Sequence, residues 1–359
     1  MTRGIAFFSG PRPLEYGSRI ARLRWRRAAG ADRVTVWAPE SHAAPGLANV
    51  ESWVLVRDAG ALPGGRVPEP PPSGVLRSLR AALPPVHTLR ELEQTPLAPT
   101  ADDSAPAAIA FRTSEHPPRP HETAEALFGR LASVALPAAG FLAVAFEDPS
   151  ERERPELTRR LPEGALRVLD AGCGAGGGIG LARARNAGWT VTGIERDPAL
   201  AARARRHCDR VLDGDLADVL RRLEAAGERF DALVFADVLE HLDDPVAALA
   251  DGRRLAAPGA MLLVSVPNAG HLSIARDLLT GRFDPVPAGL CDAGHLRWFT
   301  RPFLAEVLAE SGWNGAQIES DRGYPASEPE AFLGLASAWP DAERDSLLTY
   351  QWIATARAE

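Results

Sequence analysis

The chain contains no lysine: all 40 basic residues among its 359 are arginine. That absence excludes a pyridoxal Schiff base, a P-loop lysine and any lysine general base. Cysteine is almost as scarce. Cys173, Cys208 and Cys291 are too few and too widely spaced for a disulfide framework or a cysteine zinc site. No run of about 18 apolar residues exists to cross a membrane, and the apolar run at Ile5–Phe8 is too short for a signal peptide. A cytoplasmic protein with no membrane partner is therefore expected. A basic surplus is missing too. The net charge is −7, whereas a nucleic-acid binder needs a basic stripe, and the arginine clusters Arg22–Arg27 and Arg203–Arg210 read as solvated helix faces.

What remains is a globular composition, 45% apolar and 24% charged, in a chain long enough for two ordinary domains. Residues 1–150 hold apolar strand-like runs at Ile5–Ser9, Val34–Ala38, Ser52–Val56, Ala107–Phe111 and Phe141–Phe146, with helical patterns at Tyr16–Ala29 and Glu122–Leu136. The proline-rich stretches Pro63–Ser73 and Pro96–Pro106 read as loops. This first part is a small α/β domain without an assignable motif, and the charged stretch Glu147–Arg160 marks its boundary.

From Ala165 the pattern is regular. Strands are expected at Ala165–Asp170, Thr190–Glu195, Arg210–Leu212, Ala232–Ala236, Met261–Pro267 and Ala316–Ser320. Helices are expected at Ile179–Ala187, Pro198–His207, Asp244–Arg254, Leu272–Thr280 and Arg301–Ser311. Tyr350–Ala356 alternates as a late strand that would pair antiparallel at the sheet edge. Strands alternating with helices predict a doubly wound sheet whose site lies at the strand carboxyl ends.

The first of these strands, Val168-Leu-Asp170, runs into Ala-Gly172-Cys173-Gly174-Ala-Gly176. Glycines there let the backbone turn tightly and lie against a ligand, and the helix that follows aims free N–H groups into the same crevice. The loop fits two patterns. Gly172, Gly174 and Gly177 match a dinucleotide fingerprint, while Asp170, Gly172, Gly174 and Gly176 match an Asp-x-Gly-x-Gly-x-Gly loop. Glu195 follows at the distance where a ribose-binding acid sits in either case, unless it merely caps the helix that starts at Pro198.

Further segments arrive in a fixed order: Gly193-Ile-Glu195-Arg196, Gly214-Asp215-Leu216, Phe235-Ala-Asp237-Val238-Leu-Glu240-His241 and Pro258-Gly259 through Pro267-Asn268. With these the chain, over about Ala165–Gly312, resembles class I S-adenosylmethionine (SAM) methyltransferases, in the branch of the hydroxyquinone O-methyltransferases of ubiquinone synthesis. The resemblance implies a seven-stranded Rossmann-like sheet, here with an additional N-terminal α/β domain. It implies SAM as cofactor, held by Asp170, Gly172, Cys173, Gly174 and Gly176 at its amino-acid part. Glu195 and Arg196 would lie at the ribose, Asp215 and Leu216 at the adenine, and Asp237 and Val238 at the methionine end.

In those relatives a similar acid-x-x-Glu-His segment is associated with a divalent cation. The expectation here is metal independence, because the first acid is the shorter Asp237; the alternative metal set is Asp237, Glu240 and His241. Residues 269–300, part of the second domain at 151–359, would form a lid, as in similar methyltransferases of polysaccharide and natural-product pathways. His295 on it is the first choice for a general base, with His241 and His271 as rivals. Alternatively, Asp292, His295 and Arg297 form a polar network that pins the lid. The expected reaction is methyl transfer to an oxygen, less favourably a nitrogen, of a small-molecule acceptor such as a sugar, phenol or hydroxylated natural product. A homodimer is compatible with this reading. Two other classes fit parts of the pattern: an NAD-dependent oxidoreductase, and a non-catalytic SAM-fold module with a partner-binding N-terminal domain.

Overall fold

The computed structural model describes residues 3–8, 24–37, 50–57, 62–63, 66–71, 74–81, 97, 106–117, 119, 121–144, 152–164, 166–186, 188–286, 288–323 and 344–358. The chain forms two compact units. One comprises Met1–Phe146 with Arg282–Gly294, the other Glu147–Gly281 with His295–Glu359. The segment read as a lid is therefore split, and its middle part groups with the first unit.

The first unit is a mixed sheet of β1 (Arg3–Phe8), β2 (Arg33–Trp37), β3 (Ser52–Val56), β4 (Leu62–Pro63), β5 (Leu76–Ala81), β6 (Ala108–Arg112) and β7 (Leu136–Val144), in the order β2-β1-β3-β6-β5-β7-β4. Strand residues alternate between two apolar layers, as the period of two requires. Trp53, Leu55, Ile109 and Phe111 pack with the helix Ala124–Ala132, while Ile5, Phe7, Val54, Val56 and Trp25 form the other layer. That helix buries Ala124, Leu127, Phe128 and Leu131, one stripe at helical spacing, and Thr123 caps it by accepting from the Ala126 N–H. It stops at Ala132 because Leu136 already opens β7, five residues ahead of the strand start read at Phe141. Strand β5 escaped the sequence reading, since Leu-Arg-Ser-Leu-Arg-Ala lacks a continuous apolar run. Of the helix read at Tyr16–Ala29, residues 24–29 are helical and the rest lies outside the described residues.

The second unit holds β8 (Leu166–Ala171), β9 (Trp189–Glu195), β10 (Arg210–Asp213), β11 (Phe230–Ala236), β12 (Ala256–Pro267), β13 (Gln317–Asp321) and β14 (Gln351–Arg357), ordered β10-β9-β8-β11-β12-β14-β13. Strands β8 to β12 pair parallel, and β14 runs antiparallel to β12 and β13. Order reverses beside β8, which opens a crevice at the carboxyl ends of β8 and β11. Both faces are covered. Leu169, Ile194, Leu233, Phe235 and Leu262 join one core with Leu220, Leu249 and Leu308 from helices, and Val168, Val191, Val234, Leu263 and Ile353 join another with Leu157 and Ile179.

One expectation needs correcting. The late strand is not at the edge but between β12 and β13. Its side chains explain this: Gln351–Ala354 are buried in succession, with Trp352 in one core and Ile353 in the other, as an interior strand requires. Strand β13 is largely exposed and takes the edge instead.

Candidate functional site

The glycine loop leaves β8 at the order reversal. Gly172, Gly174 and Gly176 all adopt the left-handed region, at φ +70°, +55° and +84°, which side chains other than glycine's seldom enter. A Cβ on Gly172 would lie 2.5 Å from Val238 Cγ2, and one on Gly176 would lie 3.1 Å from the Ala204 backbone. The loop is thus a bare-backbone cradle. Cys173 is buried under it, its N–H donating to the Ile194 carbonyl at 2.9 Å, and serves the loop's packing. Gly178 follows as the cap of the short helix Ile179–Arg183.

Two carboxylates flank the cradle. Glu195 ends β9 and is buried; its Oε2 accepts from the Gly174 N–H at 3.0 Å and its Oε1 from the Asp197 N–H at 2.7 Å. Each oxygen keeps a lone pair for a further donor. Capping of the helix Pro198–Ala204 falls to Asp197, which accepts from the Ala199 and Leu200 N–H groups. Asp170 is buried at the end of β8. Burial, and then the nearby charge of Glu195, push its carboxyl up to about 7, against the opposing pull of Arg154.

Asp237 ends β11 with φ +53°, a strained conformation for a residue other than glycine. Its backbone N–H donates to the Ser265 carbonyl at 3.0 Å, and the Ser265 hydroxyl donates to Oδ1 at 2.7 Å. Arg154 donates to Oδ2 at 2.6 Å. Against the upward push of burial, the Arg154 charge and these hydrogen bonds hold Asp237 below the ordinary carboxylate value. Arg154 also donates to Gln351 Oε1 at 2.9 Å and to Glu156, so one guanidinium ties β11 to β14. The sequence reading missed it. Nothing local sets Arg154 apart from Arg152, Arg159 and Arg160 in the same charged stretch.

Asp215 is exposed and caps the helix Leu216–Ala225, accepting from the Ala217 N–H at 3.0 Å. Leu216 is the first residue of that helix, and an open depression of about 590 Å³ beside it is lined by Gly214, Asp215, Asp218 and Arg222. Arg196 is exposed beside Glu195, and Val238 is buried against Gly172.

The turn Leu239–His241 begins two residues after Asp237. Here His295 meets it: ligand atoms of Glu240, His241 and His295 all lie within 4.8 Å of one another. The two imidazoles face edge to plane, centroids 5.0 Å apart, and Trp298 packs on His295 at 5.5 Å. The Leu296 and Arg297 N–H groups both donate to the Glu240 carbonyl, at 2.7 and 3.0 Å, and fix this approach. Asp237, whose oxygens engage Ser265 and Arg154, is not in that group. His271 lies elsewhere, buried as the cap of the helix Leu272–Leu279, its Nδ1 accepting from the Ser273 N–H at 3.2 Å. Asp292 accepts from the Gly294 N–H in a local turn, and Arg297 donates to the Leu296 and Asp243 carbonyls.

Comparison with known proteins adds a family. A model described as "Methyltransferase domain" matches residues 137–318, about half of the chain. Among curated proteins, the ubiquinone biosynthesis O-methyltransferase of Cereibacter sphaeroides is 38% identical over 122 residues, 33% of this chain and 49% of that one. That of Dinoroseobacter shibae is 28% identical over 193 residues, 53% of this chain and 73% of its own. Trans-aconitate 2-methyltransferase of Delftia acidovorans is 34% identical over 123 residues, 33% of this chain and 46% of that one. The chain spans about half the length of the first of these relatives. Among solved structures, a SAM-dependent methyltransferase of Archaeoglobus fulgidus is similar at 17% identity and a TM-score of 0.43, covering 56% of this chain and 91% of that one. The matched segment takes in the glycine cradle, both flanking carboxylates and the Asp237–His241 turn, and the chain belongs to the family of SAM-dependent methyltransferases.

Proposed function

We propose that the protein transfers a methyl group from SAM to a hydroxyl oxygen of a small molecule, a phenol, sugar or hydroxylated natural product. The carrying observation is electrostatic. Asp170 and Glu195 are both buried beside the bare-backbone cradle, and burial, then the Glu195 charge, push the Asp170 carboxyl up to about 7. SAM carries an ammonium for Asp170 and two ribose hydroxyls for the remaining lone pairs of Glu195. A dinucleotide would instead bring diphosphate charge against these acids, which disfavours the NAD reading. O-methylation is supported by the ubiquinone biosynthesis O-methyltransferases among the relatives.

Gly172, Gly174 and Gly176 would pass the amino-acid part of the cofactor, and Asp237, anchored by Arg154, would face its methionine end. Asp215 and Leu216 would receive the adenine beside their open depression. When bound, SAM supplies a methyl group already activated on a sulfonium, so the chain's task is alignment, an effect that can reach about 7–11 kcal/mol. Transfer to a hydroxyl oxygen would also require a group on the chain to take up the hydroxyl proton. His295, whose ring centroid lies 5.0 Å from that of His241, would accept that proton. The N-terminal unit would be an additional α/β domain with a role of its own.

Isothermal titration with S-adenosylhomocysteine and with NAD tests the cofactor; binding of NAD alone refutes it. His295→Ala should lower turnover by about 10²–10⁴-fold with S-adenosylhomocysteine affinity nearly unchanged. Equal losses in both would return His295 to a structural role.

A further inference from the structure

We infer that Gln351 and Asp321 are positioning residues. Together they form an amide relay whose polarity holds the Arg154 guanidinium against Asp237 and so sets the grip on the cofactor's methionine end. The last step rests on the function proposed above. Arg154 turns each of its guanidinium nitrogens to a different partner. Nε donates to Glu156, Nη1 to Asp237 Oδ2 at 2.6 Å and Nη2 to Gln351 Oε1 at 2.9 Å. The amide of Gln351 does not end there, because its Nε2 donates to Asp321 Oδ2 at 2.6 Å. A chain of hydrogen bonds thus runs from the edge strand β13 through β14 to the end of β11.

The order of these groups leaves the amide one satisfied orientation. A guanidinium only donates, an ionised carboxylate only accepts, and an amide has one end of each kind. With Asp321 on one side and Arg154 on the other, Nε2 must face the acid and Oε1 the arginine. A turned amide would set donor against donor at Arg154 and acceptor against acceptor at Asp321. Register keeps the three groups in line. Asp321 and Gln351 are direct cross-strand partners, and the Tyr350 N–H donates to the Asp321 carbonyl at 2.9 Å. Ile353, two residues on and so on the same face as Gln351, packs in one core with Leu157. Leu157 belongs to the helix Pro155–Thr158, which Arg154 precedes, and that packing brings Arg154 up to Gln351. Gln351 is buried and uncharged. It therefore fixes the direction of the guanidinium without drawing its charge away from Asp237, as a third carboxylate beside Glu156 and Asp237 would.

The experiment is a double-substitution cycle in the full chain, with two readouts besides the melting temperature. One is calorimetry with S-adenosylhomocysteine. The other is nitrogen NMR of protein labelled at arginine, the Arg154 guanidinium signal being identified by its loss in Arg154→Leu. Asp321 lies partly exposed on the edge strand, so its substitution spares the core. Asp321→Ala should weaken cofactor binding by about three- to tenfold and shift or broaden the Arg154 signal. Asp321→Asn, whose amide oxygen can still accept, should stay within about twofold of the native chain. Gln351→Leu should weaken binding at least about tenfold, as loss of a bond to a charged group does. In that background Asp321→Ala should add no further loss, because the relay is its route to Arg154. Additive losses, equal effects of Asp321→Asn and Asp321→Ala, or falling melting temperatures with affinity and the arginine signal unchanged would each overturn the relay. A native chain that binds no S-adenosylhomocysteine, while its Arg154 signal still responds through the amide, sinks the cofactor reading instead and leaves Gln351 and Asp321 positioning the guanidinium.

Discussion

Replacing Gly172 by alanine tests the cradle with a cost that the structure divides into two parts. The first is backbone: φ is +70°, where an L side chain costs about 1–2 kcal/mol. The second is packing, because the added Cβ would stand 2.5 Å from Val238 Cγ2, well inside contact distance. Overpacking of this kind costs about 1–3 kcal/mol. Together they amount to about 2–5 kcal/mol. If the loop relieves both by leaving its ligand-competent shape, S-adenosylhomocysteine affinity falls by about 30- to several thousand-fold. Val238→Ala removes the atom that is struck and leaves the backbone part untouched. In calorimetry the double substitution Gly172→Ala, Val238→Ala should therefore bind more tightly than Gly172→Ala alone by about 1–3 kcal/mol, yet remain weaker than Val238→Ala alone by about 1–2 kcal/mol. Strictly additive effects would refute the steric assignment. Unchanged affinity in Gly172→Ala would refute the cradle itself.

Two further predictions concern the charges beside that loop. Asp170 is held up to about 7, and a bound ammonium should draw it down, so S-adenosylhomocysteine binding at pH 7 should expel about half a proton, read from calorimetry in buffers of different ionisation enthalpy. The same raised carboxyl makes a stability term that is full below the ordinary carboxylate value and lost as pH rises through about 7; the ligand-free melting temperature should fall across that window, and Asp170→Asn should flatten the fall. Arg154→Leu leaves Asp237 half-buried beside Ser265 without its cation. It should weaken cofactor binding at least about tenfold and raise the Asp237 carboxyl, and addition of Asp237→Asn should recover part of the lost melting temperature; no recovery would refute the pairing.

The glycine cradle was legible because left-handed backbone leaves few residue types to choose from. Glu195 was legible for a similar reason, as one acid at the end of one strand, and the helices expected from Pro198 and from Asp244 start where Asp197 and Asp244 cap them, whereas the helix Leu216–Ala225 was not read. Arg154 was not. Its role is set by Asp237 and Gln351, 83 and 197 residues away, and a charged stretch gives no hint that one arginine is drawn inside. The meeting of His295 with Glu240 and His241 was hidden likewise, since it depends on two backbone hydrogen bonds to the Glu240 carbonyl. The late strand was read correctly in kind but misplaced. An edge position was expected, whereas its small and apolar residues are buried in both cores.

The interior position of β14 ties the order of folding to competence for the ligand. Strands β8 to β12 can form a parallel sheet from neighbouring segments, but β12 remains an open edge until β14 returns from far along the chain to cover it. Such long-range pairing is the slow kind. Gln351, at the first position of β14, is also what Arg154 grips while it steadies Asp237. A chain caught before that strand docks would carry a finished glycine loop but an Arg154 without its Gln351 partner. Closing the sheet therefore also completes the hydrogen bonding of the arginine that holds Asp237.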